Sequence, residues 1–182
     1  MKRIPILALA LITILVITTG IAAAIVKFEA RMSGAFEVPV VVGSEAKGKA
    51  QFKLSRDGQS ISYKIEVQDI NNAFMAHIHL APVGVNGPIV VWLYPQTAFP
   101  LPASTPPPSW LPGKFSGRLV KGVFTAADLT GPLAGQPLSA LLDSMMNGNA
   151  YVNVHTNDFV APTNTGPGDF PGGEIRGQIN QH

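Results

Sequence analysis

The sequence predicts an all-β domain, an antiparallel sandwich or barrel with one short helix and long loops. Three observations carry this. Short segments alternate apolar and polar residues with a period of two, as in 50–54 and in 61–67, where Ile61, Tyr63, Ile65 and Val67 share a face. Between these two segments lies Asp57-Gly58, the strongest short hairpin signal. Turn residues separate seven to nine such segments, and only 139–146 has sustained helical character.

The elements follow in order. Residues 28–34 form a first strand, followed by Glu37-Val38-Pro39 and a short apolar run. Strands at 50–54 and 61–67 flank the turn at 56–59. Strands at 75–80 and 89–94 are joined by a Gly/Asn/Pro loop, 82–88. Residues 95–112 hold seven prolines and no charge. Proline removes a donor and fixes its own backbone, so this stretch is neither central strand nor helix but a long surface loop. Strand character returns at 115–124. Thr125 then caps a helical turn, with Asp128 three residues on. The helix at 139–146 closes at Gly148, residues 151–156 are a strand, 157–171 a second long loop, and 173–179 the last strand. No internal repeat is visible.

Residues 1–26 read differently. Lys2 and Arg3 precede an uncharged run, and Ala22-Ala23-Ala24 offers a small-x-small cleavage pattern. That is the layout of a secretory signal peptide. The run is also long enough for an uncleaved N-terminal membrane anchor. The folded domain is then 27–182, secreted or held on the outer face of a membrane. Of 13 Lys and Arg, two fall in the leader, leaving 11 against 11 acidic residues. No run of Lys and Arg remains in the sequence, so nucleic acid is not an expected partner. There is no cysteine, so the domain holds itself by packing, with or without a metal.

The sharpest chemical feature is His77 and His79, in Ala76-His77-Ile78-His79-Leu80, with His155 far downstream. In a strand, residues i and i+2 project together, roughly 6.5–7 Å apart along the chain. His77 and His79 therefore share a face, with Ile78 and Leu80 opposite. Tyr151, Asn153 and His155 likewise share one face, with Val152 and Val154 on the other. The aliphatic faces belong to the core, and the histidines lie on polar faces roofed by the two long loops. Imidazole is the commonest ligand for zinc and copper, and three histidines can form an open site. If they share an ion, their nitrogens lie within about 3–4.5 Å of one another. A hydrogen-bonding role and plain solvation are the competing readings.

Glu174, Arg176 and Gln178 share a face near the C-terminus, with Ile175 and Ile179 opposite. Glu174 and Arg176 form a surface ion pair of small value, or else they orient a loop or ligand. No nucleophile–base set, phosphate loop or dinucleotide fingerprint is present as a motif, which disfavours a hydrolase.

Several of these motifs resemble the CHRD domain family. They are 28–34 with Glu37-Val38-Pro39, Ala76-His77-Ile78-His79 with Gly84 and Asn86-Gly87-Pro88, Thr125 to Leu129, 148–156 with Asn153, and 172–178. Val40 stands where a second proline is usual, and both long loops are longer. The resemblance implies a secreted, single-domain microbial member of a family with no settled biochemical activity. The leader, the lack of catalytic motifs and the long loops favour a binding or structural module. Such a module acts at the cell surface on a protein or surface partner, or in its own assembly into matrix or filaments. A second, partial resemblance is to copper/zinc superoxide dismutase, an immunoglobulin-like sandwich. It implies that His77, His79 and His155 match copper ligands and that Arg176 matches that family's arginine. The bridging histidine and the disulfide cysteines of that family have no counterpart here. Two functions stand side by side: a non-catalytic binding module, and a copper- or zinc-binding protein using the three histidines. A chain beginning at Ile25 is expected to be soluble with a β-type circular dichroism spectrum; insoluble or unfolded material would contradict the assignment of the leader.

Overall fold

In the computed structural model, residues 25–98 and 105–182 are described. The expected leader lies outside them except for Ile25 and Val26, as does the middle of the proline-rich loop. Eight strands and one α-helix follow in order: β1 Lys27–Ser33, β2 Lys47–Leu54, β3 Ser60–Leu80, β4 Ile89–Tyr94, β5 Leu111–Thr125, α1 Leu138–Met146, β6 Ala150–Thr156, β7 Ile175–Gln178 and β8 Asn180–Gln181. All pairings are antiparallel. The all-β architecture with a single short helix is as the sequence predicts.

The local chemistry explains the punctuation. Asp57 Oδ1 accepts from Ser55 Oγ at 2.6 Å and from the Gln59 amide at 3.1 Å, while Gly58 takes a φ of 71°. A left-handed residue costs glycine nothing, so the β2–β3 hairpin turns there. Thr125 and Asp128 form the expected capping box, around a short 3-10 turn at Ala126–Asp128.

The expected strands 61–67 and 75–80 are a single strand, β3, of 21 residues. Asp69 and Asn72 sit inside it at φ 55° and 52°, a backbone region that Asp and Asn tolerate better than most residues. The pairing of β3 with β5 shifts register at both places. These bulges break the two-residue period, which hides the continuity of the strand from pattern reading. They also divide its partners. Residues 61–68 pair with β2 and 60–73 with β5, whereas 73–80 pair with β6 and 76–79 with β4. The sandwich is therefore one folded sheet, closed into a ring through β2, β1, β7, β6 and β3. β1 and β7 are joined at the single pair Ser33 and Arg176.

The core lies inside this ring. Phe28, Phe52, Ile61, Ile65, Phe124, Ile78, Val152, Val154 and Ile175 all fall within it, and Leu141 of α1 joins them. Burying each such side chain contributes about 1.5–3 kcal/mol before conformational entropy is counted.

Asn72 secures the bend. Its Oδ1 accepts from the Gly113 amide at 2.8 Å and its Nδ2 donates to Gly168 O at 3.2 Å, tying β3 to β5 and to the 157–171 loop. Asn72→Ala should lower unfolding free energy by about 2–3 kcal/mol, from two lost hydrogen bonds and a strained φ. Asn72→Gly should lower it less, since glycine keeps the φ. Urea titrations check both, and equal losses would refute the backbone share.

Candidate metal centre

The register of the sheet builds the site. His77 lies opposite Asn153 on β6 and Trp92 on β4, and Asn153 in turn lies opposite Arg176 on β7. One step along, His79 lies opposite Tyr151, which lies opposite Gln178. His155 is two residues beyond Asn153 and so becomes the diagonal neighbour of His77, within reach across a strand pair. The separation of 76 positions from His79 to His155 is spanned by this pairing.

The three imidazoles converge as the sequence predicts. One nitrogen from each lies within 4.8 Å of the others, slightly wider than the expected spread. His77 Nδ1 is 3.0 Å from His155 Nε2. Ligands about 2.0–2.1 Å from a common ion stand about 3–3.5 Å apart, so an ion shared by these two atoms would have to displace the proton between them.

The polar faces, expected under a loop roof, are fully enclosed. His77, His79 and His155 are 0%, 8% and 5% exposed, and every residue of β6 is buried. Trp92 packs edge-on against His77, with ring centres 4.3 Å apart. Phe74 abuts His155 and Phe159, and Trp110 abuts Phe159, so both long loops contribute to the cover. Tyr151 lies flat on His79 at 4.8 Å, and the Arg176 guanidinium lies 3.4 Å from the centre of the same Tyr151 ring.

Hydrogen bonds fix the ring protons. His79 Nδ1 is 2.9 Å from Gly87 O, and His155 Nδ1 is 2.9 Å from Pro171 O. A carbonyl only accepts, so both Nδ1 atoms carry hydrogen, and in the neutral rings both Nε2 atoms hold lone pairs. His77 Nδ1 then donates to His155 Nε2, which leaves a lone pair on His77 Nε2. The Nε2 atoms of His77 and His79 are buried without any partner. Asn153 Oδ1 adds a further acceptor 3.0 Å from His155 Nε2, a repulsive pairing that a cation or a rotated amide relieves. The cluster has more acceptors than donors. Such an excess is complementary to a cation, and a carbonyl on the far nitrogen is the usual support for a metal-binding histidine.

Electrostatics keeps the rings neutral. Burial pushes His77 well below its ordinary value, with His155 and His79 adding to the effect. Burial also lowers His79, and it takes His155 down to about 3. Glu37 moves the other way: burial raises its carboxyl to about 7, although Arg176 opposes the shift. Glu37 is 5% exposed, its side chain bonds that of Asn153, and its Oε1 has no partner. Sequence reading noted Glu37 only as part of a motif; its enclosure arises from loop packing, which alternation does not encode.

Glu174 and Arg176 do not form the expected surface ion pair. Both are buried, and no salt bridge joins them. Glu174 accepts from Ser44 Oγ at 2.5 Å, Thr156 Oγ1 at 2.6 Å and the Gly168 amide at 2.8 Å. Arg176 donates to Asn86 Oδ1 at 3.1 Å and to the Pro82 and Val85 carbonyls. Asn86 Nδ2 donates onward to Val38 O at 2.6 Å. Each residue orients a loop, the alternative that the sequence leaves open, because a buried charge needs close polar partners.

Among known proteins, the family model described as CHRD domain matches residues 28–162, which include all three histidines and Asn153. No curated protein and no solved structure matches the chain.

The protonation pattern has a measurable sign. An unfolded imidazole takes up a proton below about 6.5, while the folded rings refuse it. Their contribution is present above that pH and is lost as pH falls toward about 3, where His155 titrates. Glu37 contributes oppositely, fully below its ordinary 4.5 and lost as pH rises through about 7. Three histidines outweigh one carboxyl, so the apo protein's melting temperature should fall from pH 7 to pH 5. Glu37→Gln should steepen that fall and raise the melting temperature at pH 8. A flat profile in both proteins would contradict this account.

Proposed function

The chain belongs to the CHRD domain family, and we propose that it is an exported, non-catalytic binding module that holds a copper or zinc ion on His77, His79 and His155. The observation that carries the reading is the pair of unpartnered, buried Nε2 atoms on His77 and His79, beside the His77–His155 contact. A buried acceptor without a donor costs about 1–3 kcal/mol, and this cluster leaves two such atoms. A cation coordinated by these nitrogens offsets that cost.

Imidazole nitrogens suit both metals, and three protein ligands leave a coordination position for an external group. The protein's own part is to enclose the site and orient the rings. Gly87 O and Pro171 O set two tautomers, and Arg176 and Tyr151 brace His79. Export rests on the leader, and display at a cell surface rests on the family's character as a binding or structural module. The hydrogen bond between His77 and His155 supports a second reading, in which the histidines only lock β3 to β6.

Metal addition separates the two. A ligand that binds only the folded state stabilises it by RT ln(1 + [L]/Kd), about 2.7 kcal/mol at a hundredfold excess over Kd. Protein purified without a histidine tag should bind one Cu²⁺ or Zn²⁺ per chain at pH 7.5, and its melting temperature should rise. His79→Ala and His155→Ala should each abolish the rise. If wild type shows no metal response and the variants only lose stability, the locking reading is correct.

A further inference from the structure

Folding gathers basic residues that the sequence disperses. In the layer made by β1, β2, the first half of β3 and β5, one face is core, where Phe28, Phe52, Ile61, Ile65 and Phe124 are buried. The register places the alternate residues on the opposite, outer face in rows across the strands. One row is Lys27, Lys53, Ser62 and Val123. The next is Glu29, Gln51, Lys64 and Lys121, and the third Arg31, Lys49, Glu66 and Arg118. Lys47 stands beyond them, opposite Gln68.

This face carries eight cations and two carboxylates, a net of +6. The remaining described residues hold three Lys and Arg against nine Asp and Glu, a net of −6. A charge balance near zero therefore conceals a strongly dipolar surface. Glu29 is engaged by Lys49 at 2.9 Å and Arg31 at 3.3 Å, and Glu66 by Lys64 at 3.1 Å. Among the described residues no carboxylate bridges to Lys53, Arg118 or Lys121, and all three are exposed. The face is also not flat. A concavity of about 520 Å³ is lined by Lys47, Lys49, Gln68 and Ser116 together with Glu66, and another of about 290 Å³ by Lys27, Lys53, Ser62 and Lys64 together with Glu29.

We propose that this face binds an extended anionic polysaccharide, one bearing carboxylate or sulfate groups. Strands about 4.8 Å apart, with same-face positions about 7 Å apart along each strand, present a regular lattice of charge to a linear polyanion. Six of the eight cations are lysines, whose compact charge on a flexible stem adapts to sugar-borne anions without planar geometry. The rows carry no aromatic side chain, so they lack the stacking platform of a single-stranded nucleic-acid binder. Val123 is their one apolar member, too little to seat in a bilayer. Grooves whose polar lining is Lys, Ser and Gln, with Glu29 and Glu66 each paired to a lysine, suit a chain of hydroxyls and acids better than a planar membrane.

The test uses purified protein against dextran sulfate and alginate, with neutral dextran, phosphatidylglycerol vesicles and short duplex DNA as comparisons. The two acidic polysaccharides should bind and neutral dextran should not. Counterion release should weaken binding at least about tenfold between 50 and 200 mM salt. The triple variant Lys53→Gln, Arg118→Gln, Lys121→Gln should weaken it at least about tenfold by the same charge argument. Arg56→Gln and Lys114→Gln, which remove charge elsewhere, should leave it unchanged. Circular dichroism melts verify folding; if the triple variant is unfolded, the single variants Arg118→Gln and Lys121→Gln decide, each expected to weaken binding about two- to threefold. Unchanged affinity in folded variants, or tighter binding to DNA or vesicles than to polysaccharide, would overturn the proposal.

Discussion

The structure depends on satisfying a second, polar interior. β6 is buried on both faces, so Tyr151, Asn153 and His155 cannot turn to water, and neither can His77 or Arg176. Water-free polar groups must find partners within the protein or raise its free energy. The long loops exist in part to supply them. Gly87, Pro171 and Gly168 each present a backbone group to a buried side chain, and Pro82 and Val85 offer carbonyls to Arg176. What the loops leave unsatisfied is informative, because it falls on His77, His79, Glu37 and Asp169.

Arg176 links this interior to the rest. It sits at the single β1–β7 junction, stacks on Tyr151, and through Tyr151 bears on His79. Its hydrogen bonds hold the loop that supplies Gly87 O to the same imidazole. One cation thus closes the ring of strands, orders a loop and orients a histidine. Its field also favours the neutral form of that histidine. The basic outer face is separate from all of this. It lies on the other half of the bent β3, so the two surfaces use one strand for different purposes.

Much of this was legible in the sequence where the chemistry is local. His77 and His79 share a face by the two-residue period alone, and Thr125 with Asp128 announces its cap by spacing. The family resemblance and the grouping of Tyr151, Asn153 and His155 also needed only one segment each. What was not legible is set by packing between distant segments. The bend at Asp69 and Asn72 breaks the period that would reveal β3 as continuous. Arg176 reads as a strand-surface residue, because two strands and a loop close over it only after folding. The basic face is invisible for the same reason: Lys27, Lys53, Lys64 and Arg118 meet through register, and no run in the sequence records it.

The central claim is that the fold encloses three neutral imidazoles side by side and leaves acceptor nitrogens on His77 and His79 without a partner. Side-chain ¹⁵N NMR of the histidines reads this directly. The account predicts Nδ1–H neutral rings for His77, His79 and His155 in the apo protein at pH 7, with the Nε2 resonances perturbed together on adding one equivalent of Zn²⁺. Charged rings, Nε2–H tautomers at His79 and His155, or zinc-induced changes confined to His182 would contradict it.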